Sequence, residues 1–270
     1  MTVYTKGNYH RDTTFQEELR RNWGLLRALL ARDLKGKYRR SQLGFLWNFL
    51  QPLLQMAVYI ILRMLFNLST DGSPFIIFIL SGIIPWSYFL QIVSTSPVQI
   101  MTNVGIFRKV NVPRELFLIN GALVGLVETA IGFLILAFLM LIYRVPVNLN
   151  ILWLPVLGLL LVAISLGLGM LLTAIGVYKA DILVFINPIL QAWFFATPIF
   201  YPISIVPEKY LILYKLNPMV GIITGFRDVI TTGRAPDLIA LSFSLVGIVA
   251  IWIVAWPLFR RVSPYFADVL

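Results

Sequence analysis

Six polar and aromatic side chains recur along one apolar stretch, and their spacing places them on one side of a helix. At about 100° per residue they fall within an arc of roughly 160°. They are Trp47, Asn48, Gln51, Gln55, Tyr59 and Arg63. Polar groups inside a membrane usually face a bundle interior or a water-filled path, so we predict that this helix lines a translocation path. The alternative is that the glutamines hydrogen-bond to neighbouring helices and that Arg63 snorkels to the lipid headgroups.

Two further groups of aromatic side chains occur in apolar stretches. Sugar rings pack on aromatic faces, so such a lining would suit a glycan, although Trp and Tyr also collect in belts at the membrane surface. Both explanations fit any single residue, and the amides Asn187 and Gln191 favour a lining role for the later group. The predicted channel positions are Trp86, Tyr88, Phe89, Gln191, Trp193, Phe194, Phe195 and Tyr201.

Groups that could catalyse a reaction are scarce. His10 is the only histidine and cysteine is absent, which excludes histidine catalysis and thiolate metal sites in the membrane. Glu128 is the one acidic residue well inside an apolar stretch, and a proton relay normally needs a chain of such groups. We therefore expect Glu128 to make a buried structural hydrogen bond, and we predict a chain that is not an enzyme and binds no metal or cofactor.

Nucleotide binding by this chain is not expected either. The P-loop pattern G-x-x-x-x-G-K-[ST] does not occur in the sequence. If ATP drives the protein, ATP and Mg²⁺ must therefore be bound by a separate partner subunit.

The composition is that of an integral membrane protein. The 270 residues are 59% hydrophobic, with a mean hydropathy of +0.85, whereas soluble proteins are about 45–50% apolar. The formal net charge of +10 could suggest a nucleic-acid partner, but ten of the 22 basic residues lie within positions 1–42, beside an apolar stretch. That placement indicates membrane topology and contact with anionic lipid, so no nucleic-acid partner is expected.

Six stretches have the roughly 20 apolar residues that a membrane-spanning helix needs. They are residues 43–66, 75–96, 119–143, 151–175, 182–201 and 238–259. If both termini are cytoplasmic, 16 basic residues lie inside and five outside. The positive-inside rule therefore predicts an all-α, polytopic protein with both termini in the cytoplasm.

The segment before the first span is predicted to lie on the membrane surface. Residues 1–42 would form a cytoplasmic tail and an amphipathic interface helix, and residues 43–270 the transmembrane domain. Thr14 and Glu17 form a capping box, and the apolar residues that follow share one face up to Leu34, so the helix should end near Gly36. A basic collar that could hold an anionic lipid head comprises Lys35, Lys37, Arg39 and Arg40.

Segment 202–237 is too apolar for an ordinary loop and too broken to span a membrane. Pro207 and Pro218 each fit the first turn of a short helix. A re-entrant helix pair that dips into the membrane from outside is predicted, and an external lid of two surface helices is the alternative.

Segment 97–115 connects the second and third spans on the predicted cytoplasmic side. It begins with Pro97, could form a short helix, and mixes apolar with basic residues, as a docking surface does. A solvated connector is the alternative. The residues predicted to couple to an ATPase subunit are Asn103, Phe107, Arg108 and Lys109.

One stretch resembles the signature of a known family, the membrane subunits of ABC exporters for lipid-linked surface polysaccharides. The matching residues are Arg32-Asp33-Leu34-Lys35, Lys37-Tyr38, Ser41, Leu43-Gly44, Trp47 and Pro52. The six-span order, the loop with Arg108-Lys109 and Val112-Pro113 and the apolar segment after the fifth span extend the resemblance over nearly the whole chain.

The resemblance implies a homodimer in the bacterial cytoplasmic membrane, with two ATP-binding subunits on its cytoplasmic face. It also implies a gate helix at 14–35, a coupling helix between spans 2 and 3, re-entrant helices before span 6, and a channel lined by spans 1, 2 and 5. We therefore expect export of a lipid-linked glycan, either wall teichoic acid or an O-antigen or capsule polysaccharide. The alternatives are a permease for a drug or lipid, a membrane-embedded glycan-processing enzyme, and a passive scaffold.

Overall fold

The fold is built from helices that surround one central, buried helix. A computed structural model describes residues 17, 20–39, 54, 57–61, 72–110 and 112–269. The helices are α1 (Trp23–Arg39), α2 (Phe75–Thr102), α3 (Val104–Phe107), α4 (Glu115–Ile142), α5 (Leu154–Gly176), α6 (Ala180–Phe195), α7 (Glu208–Lys215), α8 (Pro218–Arg227), α9 (Leu238–Val262) and α10 (Phe266–Val269). No strand occurs within these ranges, so the all-α prediction is confirmed for them.

Four of the described helical segments are long and apolar enough to cross a membrane. They are Phe75–Thr102, Glu115–Ile142, Leu149–Gly176 and Leu238–Val269, which correspond to the predicted second, third, fourth and sixth spans. The fifth predicted span contains the shorter apolar helix Asp181–Phe195. Most of the first predicted span lies outside the described residues. Its described part, residues 54 and 57–61, is helical. The protein is therefore a polytopic membrane protein.

Helix α2 is the centre of the fold. It packs against α4, α5, α6 and α8, and Phe78, Phe89 and Ile92 are at most 1% exposed. A helix that is apolar on all sides must be covered on all sides. The helices around α2 expose apolar side chains on their outer faces, as expected of helices in contact with lipid.

Two helices that contain or precede a proline end at other positions than the sequence predicted. Helix α2 continues through Pro97 to Thr102, so the predicted start of the connecting segment at Pro97 is wrong. Proline is tolerated inside membrane helices because neighbouring helices and hydroxyl side chains compensate for the lost backbone bond. Helix α6 instead ends at Phe195, short of the predicted end at Tyr201, and the next six residues form turns and bends around Pro198.

Helix α1 differs from the predicted interface helix in its end and in its buried face. It continues through Gly36 to Arg39, although glycine inside a helix costs roughly 0.5–1 kcal/mol relative to alanine. Leu26 and Leu29 are 2% and 3% exposed and form the buried side, whereas Trp23 is 48% exposed. The helix packs along α4. This tertiary contact determines both where α1 ends and which of its faces is buried, and the sequence pattern does not reveal it.

The segment between α6 and α9 contains two short helices close to the predicted positions. The Asn217 side chain accepts a hydrogen bond from the backbone N–H of Met219 and caps α8, with Pro218 in the first turn. Helix α8 is buried from Met219 to Arg227 and packs against α2, α5 and α9. A Cβ atom on Gly221 would lie 2.4 Å from the carbonyl oxygen of Ala240, so only glycine permits this approach to α9. Helix α7 buries none of its residues.

Candidate functional site

Aromatic side chains from three distant parts of the sequence meet in one cluster. The ring of Tyr59 stacks on those of Phe194 and Phe200, with centroids 5.9 Å apart in both pairs. Trp86 of α2 meets Phe194 edge to face at 5.6 Å. The helix that carries Tyr59 therefore lies against the end of α6, where the sequence analysis placed a common lining.

The cluster extends along α6 from a buried side to an exposed one. Phe89 meets Trp193 at 5.3 Å and is fully buried. Phe195 packs against Phe194 and is 61% exposed, and Gln191, one turn before it, is exposed as well. The aromatic cluster comprises Tyr59, Trp86, Phe89, Trp193, Phe194, Phe195, Phe200 and Tyr201.

Tyr88 occupies a different environment from the other predicted channel residues. It is 1% exposed, and its hydroxyl donates to the carbonyl oxygen of Ala122 on α4 at 3.4 Å. Its ring faces Gly125, where an added Cβ would lie 3.1 Å away. Tyr88 thus packs between α2 and α4 and is not part of the aromatic cluster.

Arg227, at the end of α8, holds the break after α6 in place. Its guanidinium donates to the carbonyl oxygens of Pro198 at 2.7 Å and Ile199 at 2.6 Å, with a longer bond of 3.3 Å to Tyr201. The same group lies 3.8 Å from the ring centroid of Phe78 and is only 6% exposed as a residue. A planar cation with several donors fits such a set of carbonyl groups.

The sequence analysis missed this role: it placed Arg227 in the predicted re-entrant segment 202–237 and counted it only as one of the five basic residues outside. The signal was present, because Arg227 follows a run of eleven uncharged residues, 216–226. A cation at the end of such an apolar run indicates a buried partner inside a membrane protein.

Asn217 links α8 to α6. Its side-chain oxygen accepts from Trp193 Nε1 at 2.9 Å, and its nitrogen donates to Thr197 Oγ1 at 3.0 Å. Nearby, the hydroxyls of Tyr201 and Tyr214 are in hydrogen-bond contact. These bonds fix the ring of Trp193 relative to α7 and α8.

The basic collar is partly neutralised by α4. Lys37 Nζ lies 2.5 Å from Glu128 Oε1, and Gln91 Nε2 donates to Glu128 Oε2 at 3.0 Å. The expected structural hydrogen bond of Glu128 is therefore confirmed, with an ion pair in addition. Lys35 is exposed, and Arg39 is the last residue of α1.

The predicted coupling residues divide into anchors and an exposed surface. Phe107 is 5% exposed, packs on Phe117 at 5.8 Å and lies under the Arg114 guanidinium. Asn103 is also buried, and its side-chain oxygen accepts from Arg32 of α1 at 3.0 Å.

Arg108 and Lys109 are exposed at the tip of this segment. The Arg108 guanidinium donates twice to the carbonyl oxygen of Ala267, at 2.9 and 3.2 Å. The tip of the segment is therefore attached to the C-terminal helix α10.

Asp237 forms an electrostatic site at the start of α9, opposite the end that carries Arg260. Its carboxylate accepts from Lys215 Nζ at 2.6 Å and from the backbone N–H groups of Ile239 and Ala240. Burial alone would raise the pKa of Asp237, but the Lys215 bond and the two backbone bonds outweigh it and lower the pKa below the ordinary value.

Six predicted site residues lie outside the part of the chain that the structure describes. They are Trp47, Asn48, Gln51, Gln55, Arg63 and Arg40.

Comparison with known proteins places this helical architecture in a family. The family model described as ABC-2 type transporter matches residues 24–231, from the first turn of α1 to the turn that follows α8. The chain belongs to the ABC-2 type transporter family. The predicted family resemblance and transport class are thereby confirmed, and the matched region contains the aromatic cluster, Arg227 and the Lys37–Glu128 pair.

Individual ABC-2 relatives cover most of the chain. The O-antigen export system permease protein RfbA of Myxococcus xanthus is 30% identical over 239 residues, which are 87% of this chain and 91% of that protein. An RfbA of the same description from Klebsiella pneumoniae is 26% identical over 254 residues, 91% of this chain and 95% of that protein. The polysialic acid transport protein KpsM of Escherichia coli is 23% identical over 218 residues, 80% of this chain and 84% of that protein.

Proposed function

We propose that this chain is the membrane subunit of an ATP-driven exporter that moves a lipid-linked polysaccharide across the bacterial cytoplasmic membrane. Relatives named for O-antigen export and polysialic acid transport match over most of their length. Within the chain, the observation that carries the proposal is the aromatic cluster, whose α6 face is exposed in the single subunit.

The exposed face of α6 also indicates how two copies of the chain assemble. Helix α6 carries the exposed amides Asn187 and Gln191, and polar side chains inside a membrane face protein or a water-filled path rather than lipid. In a homodimer, two such faces would surround a common path, and the side-chain amides of Asn187 and Gln191 would face that path instead of lipid. The proposed topology has six spans with both termini in the cytoplasm, and α7 and α8 form the re-entrant pair of segment 202–237.

ATP hydrolysis belongs to two partner subunits that bind ATP and Mg²⁺. The exposed tip with Arg108 and Lys109 is the docking surface, and buried Phe107 fixes it to the body of the protein. Since Asn103 holds α1 through Arg32, movement of this segment is passed directly to the interface helix. A two-state displacement of these joined elements opens the path.

Transport then proceeds lipid head first. The diphosphate of the lipid carrier is attracted by Lys35 and its basic neighbours at the end of α1. The sugar units move over the aromatic cluster, whose rings offer contact without a fixed set of hydrogen bonds. The names of the relatives favour an O-antigen or capsule polysaccharide over wall teichoic acid as the cargo.

Reconstitution with the ATP-binding subunit tests this proposal. We expect the ATPase activity of the complex in proteoliposomes to rise with lipid-linked O-antigen or capsule polysaccharide, and to respond less to lipid-linked teichoic acid. Stimulation by a drug or a phospholipid, with no response to any lipid-linked glycan, would contradict the proposal.

A further inference from the structure

Helix α1 is attached to α4 by two polar contacts that lie on one face of α1. Asp33 and Lys37 are four residues apart and therefore point to the same side of the helix, the side on which Leu29 is buried. Asp33 Oδ2 accepts a hydrogen bond from Asn120 Nδ2 at 2.6 Å, and we call this contact the near clasp. Lys37 Nζ lies 2.5 Å from Glu128 Oε1, and we call this ion pair the far clasp.

The near clasp is joined to the proposed docking segment. Arg32 Nε donates to Asp33 Oδ1 at 2.7 Å, and Arg32 Nη2 donates to Asn103 Oδ1 at 3.0 Å. Asn103 immediately precedes α3, the short helix that leads to Arg108. A displacement of the docking segment is therefore transmitted to α1 at the near clasp.

The far clasp lies deeper along α4. Asn120 and Glu128 are eight residues apart, which corresponds to about 12 Å at 1.5 Å per residue. Glu128 lies at the midpoint of a 28-residue helix that is long enough to cross a membrane. Gln91 of α2 donates to Glu128 Oε2 at 3.0 Å. The Glu128 carboxylate is therefore also held by α2, independently of Lys37.

The Lys37 ammonium remains accessible at the far clasp. The Lys37 side chain is 47% exposed, whereas that of Glu128 is 13% exposed. An ionisable group at such a depth usually faces a water-filled cavity and marks a substrate pathway. An anion can therefore approach the open side of the ammonium, with the Glu128 carboxylate behind it.

We propose that the anionic head of the transported lipid opens the far clasp, and that Glu128 is a positioning residue that sets the affinity for this head through Lys37. A lipid-borne diphosphate carries more negative charge than one carboxylate, so it competes with Glu128 for the Lys37 ammonium. Its binding releases the end of α1 from α4, while the near clasp keeps α1 joined to the docking segment. The inference rests on the proposed function, because the diphosphate belongs to the proposed cargo.

The far clasp is weak enough for a ligand to open it. An ion pair with an exposed partner contributes little, because solvent screens it. A ligand that binds only the released state therefore shifts the equilibrium with a small differential affinity. Cargo at the far clasp and the ATP-binding subunit at the docking segment would thus act on the same helix, which links the arrival of cargo to the movement that opens the path.

A photoreactive polyprenyl diphosphate without sugars tests the far clasp. The full-length chain is placed in phosphatidylcholine bilayers, and labelling is measured against the mole fraction of the probe. Glu128→Gln removes the competing charge and keeps an acceptor for Gln91, so it should lower the half-saturating mole fraction about two- to fivefold. Lys37→Gln should raise it about fivefold, the effect of one basic residue near a charged lipid surface.

Double variants separate competition for Lys37 from a general loosening of α1. In the Lys37→Gln background, Glu128→Gln should no longer change the half-saturating mole fraction. In the Lys35→Gln background it should still lower this value by the same factor, because Lys35 points about 200° away from Lys37. Asn120→Leu breaks the near clasp and leaves the far clasp, so it should not tighten binding. Glu208→Gln, on the exposed helix α7, is the control for loss of a carboxylate.

Competing ligands identify the source of the phosphate. Unlabelled polyprenyl diphosphate should displace the probe at a lower concentration than phosphatidylglycerol or inorganic diphosphate does. Displacement by phosphatidylglycerol at the same concentration would assign the far clasp to bulk membrane lipid. Displacement by inorganic diphosphate at the same concentration would assign it to a soluble anion. Either result would overturn the assignment to the cargo.

The variants can also overturn the role of Glu128. That role is wrong if wild type is not labelled, if Glu128→Gln leaves half-saturation unchanged, if its effect persists in Lys37→Gln, or if Asn120→Leu reproduces it. Stimulation of ATPase activity by lipid-linked polysaccharide tests the proposed function separately. A chain that keeps this stimulation but fails the Glu128→Gln test would retain the proposed function without the far-clasp mechanism, whereas a chain that responds to no lipid-linked glycan would lose both.

Discussion

Lys37 and Glu128 form an ion pair, with 2.5 Å between Nζ and Oε1, that joins the end of α1 to the middle of α4. The Glu128 side chain is 13% exposed and also accepts a hydrogen bond from Gln91. Helix α1 is therefore fixed to α4 by charge as well as by the packing of Leu26 and Leu29.

Glu128→Gln should loosen α1 because it removes the charge and keeps the shape. Since the Lys37 side chain is 47% exposed, solvent weakens the pair and its contribution is about 0.5–1 kcal/mol. Hydrogen exchange of the backbone amides of α1 should therefore become about two- to fivefold faster. Glu208→Gln, on the exposed helix α7, is the control, and unchanged exchange in α1 would show that the pair does not hold the helix.

Arg227→Lys should destabilise the protein although it preserves the charge. A lysine cannot direct planar donors at the carbonyl groups of both Pro198 and Ile199, and a buried carbonyl without its partner costs about 1–3 kcal/mol. The midpoint of thermal unfolding in detergent should fall, with Arg234→Lys as the matched exposed control. If Arg227→Lys is as stable as the wild type, the guanidinium does not hold the break after α6.

Asp237 should give stability that depends on pH. Because its pKa is lowered in the folded protein from the ordinary value of 3.8, the unfolded chain binds more protons in acid and stability rises with pH. The stabilisation is complete above pH 3.8 and is lost as the pH falls through the lowered pKa.

Asp237→Asn keeps the helix cap and removes the ion pair with Lys215, so the stability difference from the wild type should disappear in acid. Asp237→Ala removes the cap as well and should cost about 1 kcal/mol more at neutral pH. Thermal unfolding measured across this pH range checks both. A difference between wild type and Asp237→Asn that does not change with pH would show that the carboxylate contributes no charge interaction.

Phe107 and Lys109 lie two residues apart, and their substitutions should have opposite consequences. Phe107→Ala removes a buried ring and should lower stability by about 3–5 kcal/mol. Lys109→Ala should change stability by less than about 0.5 kcal/mol but weaken binding of the ATP-binding subunit, the more so at low salt. A pull-down of that subunit at two salt concentrations, beside thermal unfolding, separates the effects. Normal binding by Lys109→Ala would remove this residue from the docking surface.

Sequence patterns predicted the parts of the fold that depend on local chemistry. Pro207 and Pro218 correctly indicated two short helices, and runs of apolar residues indicated the four long ones. Pro97 and Gly36 gave wrong boundaries, since packing of α2 and α1 against other helices outweighs the local preference. The contacts of Arg227 and the pairing of Lys37 with Glu128 join residues at least 26 positions apart, and no local pattern encodes such partners.

For the aromatic cluster, the sequence analysis predicted which residues could take part but not which of them are in contact. The sequence analysis grouped Tyr59, Trp86 and Phe194 because their side chains could line a channel, but the stacking of Tyr59 on Phe194 depends on how three helices pack. The same reasoning placed Tyr88 beside Trp86, whereas the helix geometry turns Tyr88 toward α4. Positions two apart on a helix differ by about 200°, so Tyr88 faces nearly the opposite side of α2 from Trp86.

The central claim is that the aromatic cluster forms a path for a lipid-linked polysaccharide, and export by Phe194→Leu tests it most directly. Proteoliposomes that contain the chain and its ATP-binding subunit are loaded with lipid-linked polysaccharide, and the ATP-dependent appearance of the glycan on the opposite side is measured. The matched control is Phe185→Leu on the same helix, 65% exposed and outside the aromatic cluster. We predict export that is at least about tenfold slower for Phe194→Leu, the effect of about 1.4 kcal/mol at the barrier, with Phe185→Leu near the wild-type rate. Equal export by Phe194→Leu and the wild type would contradict the account.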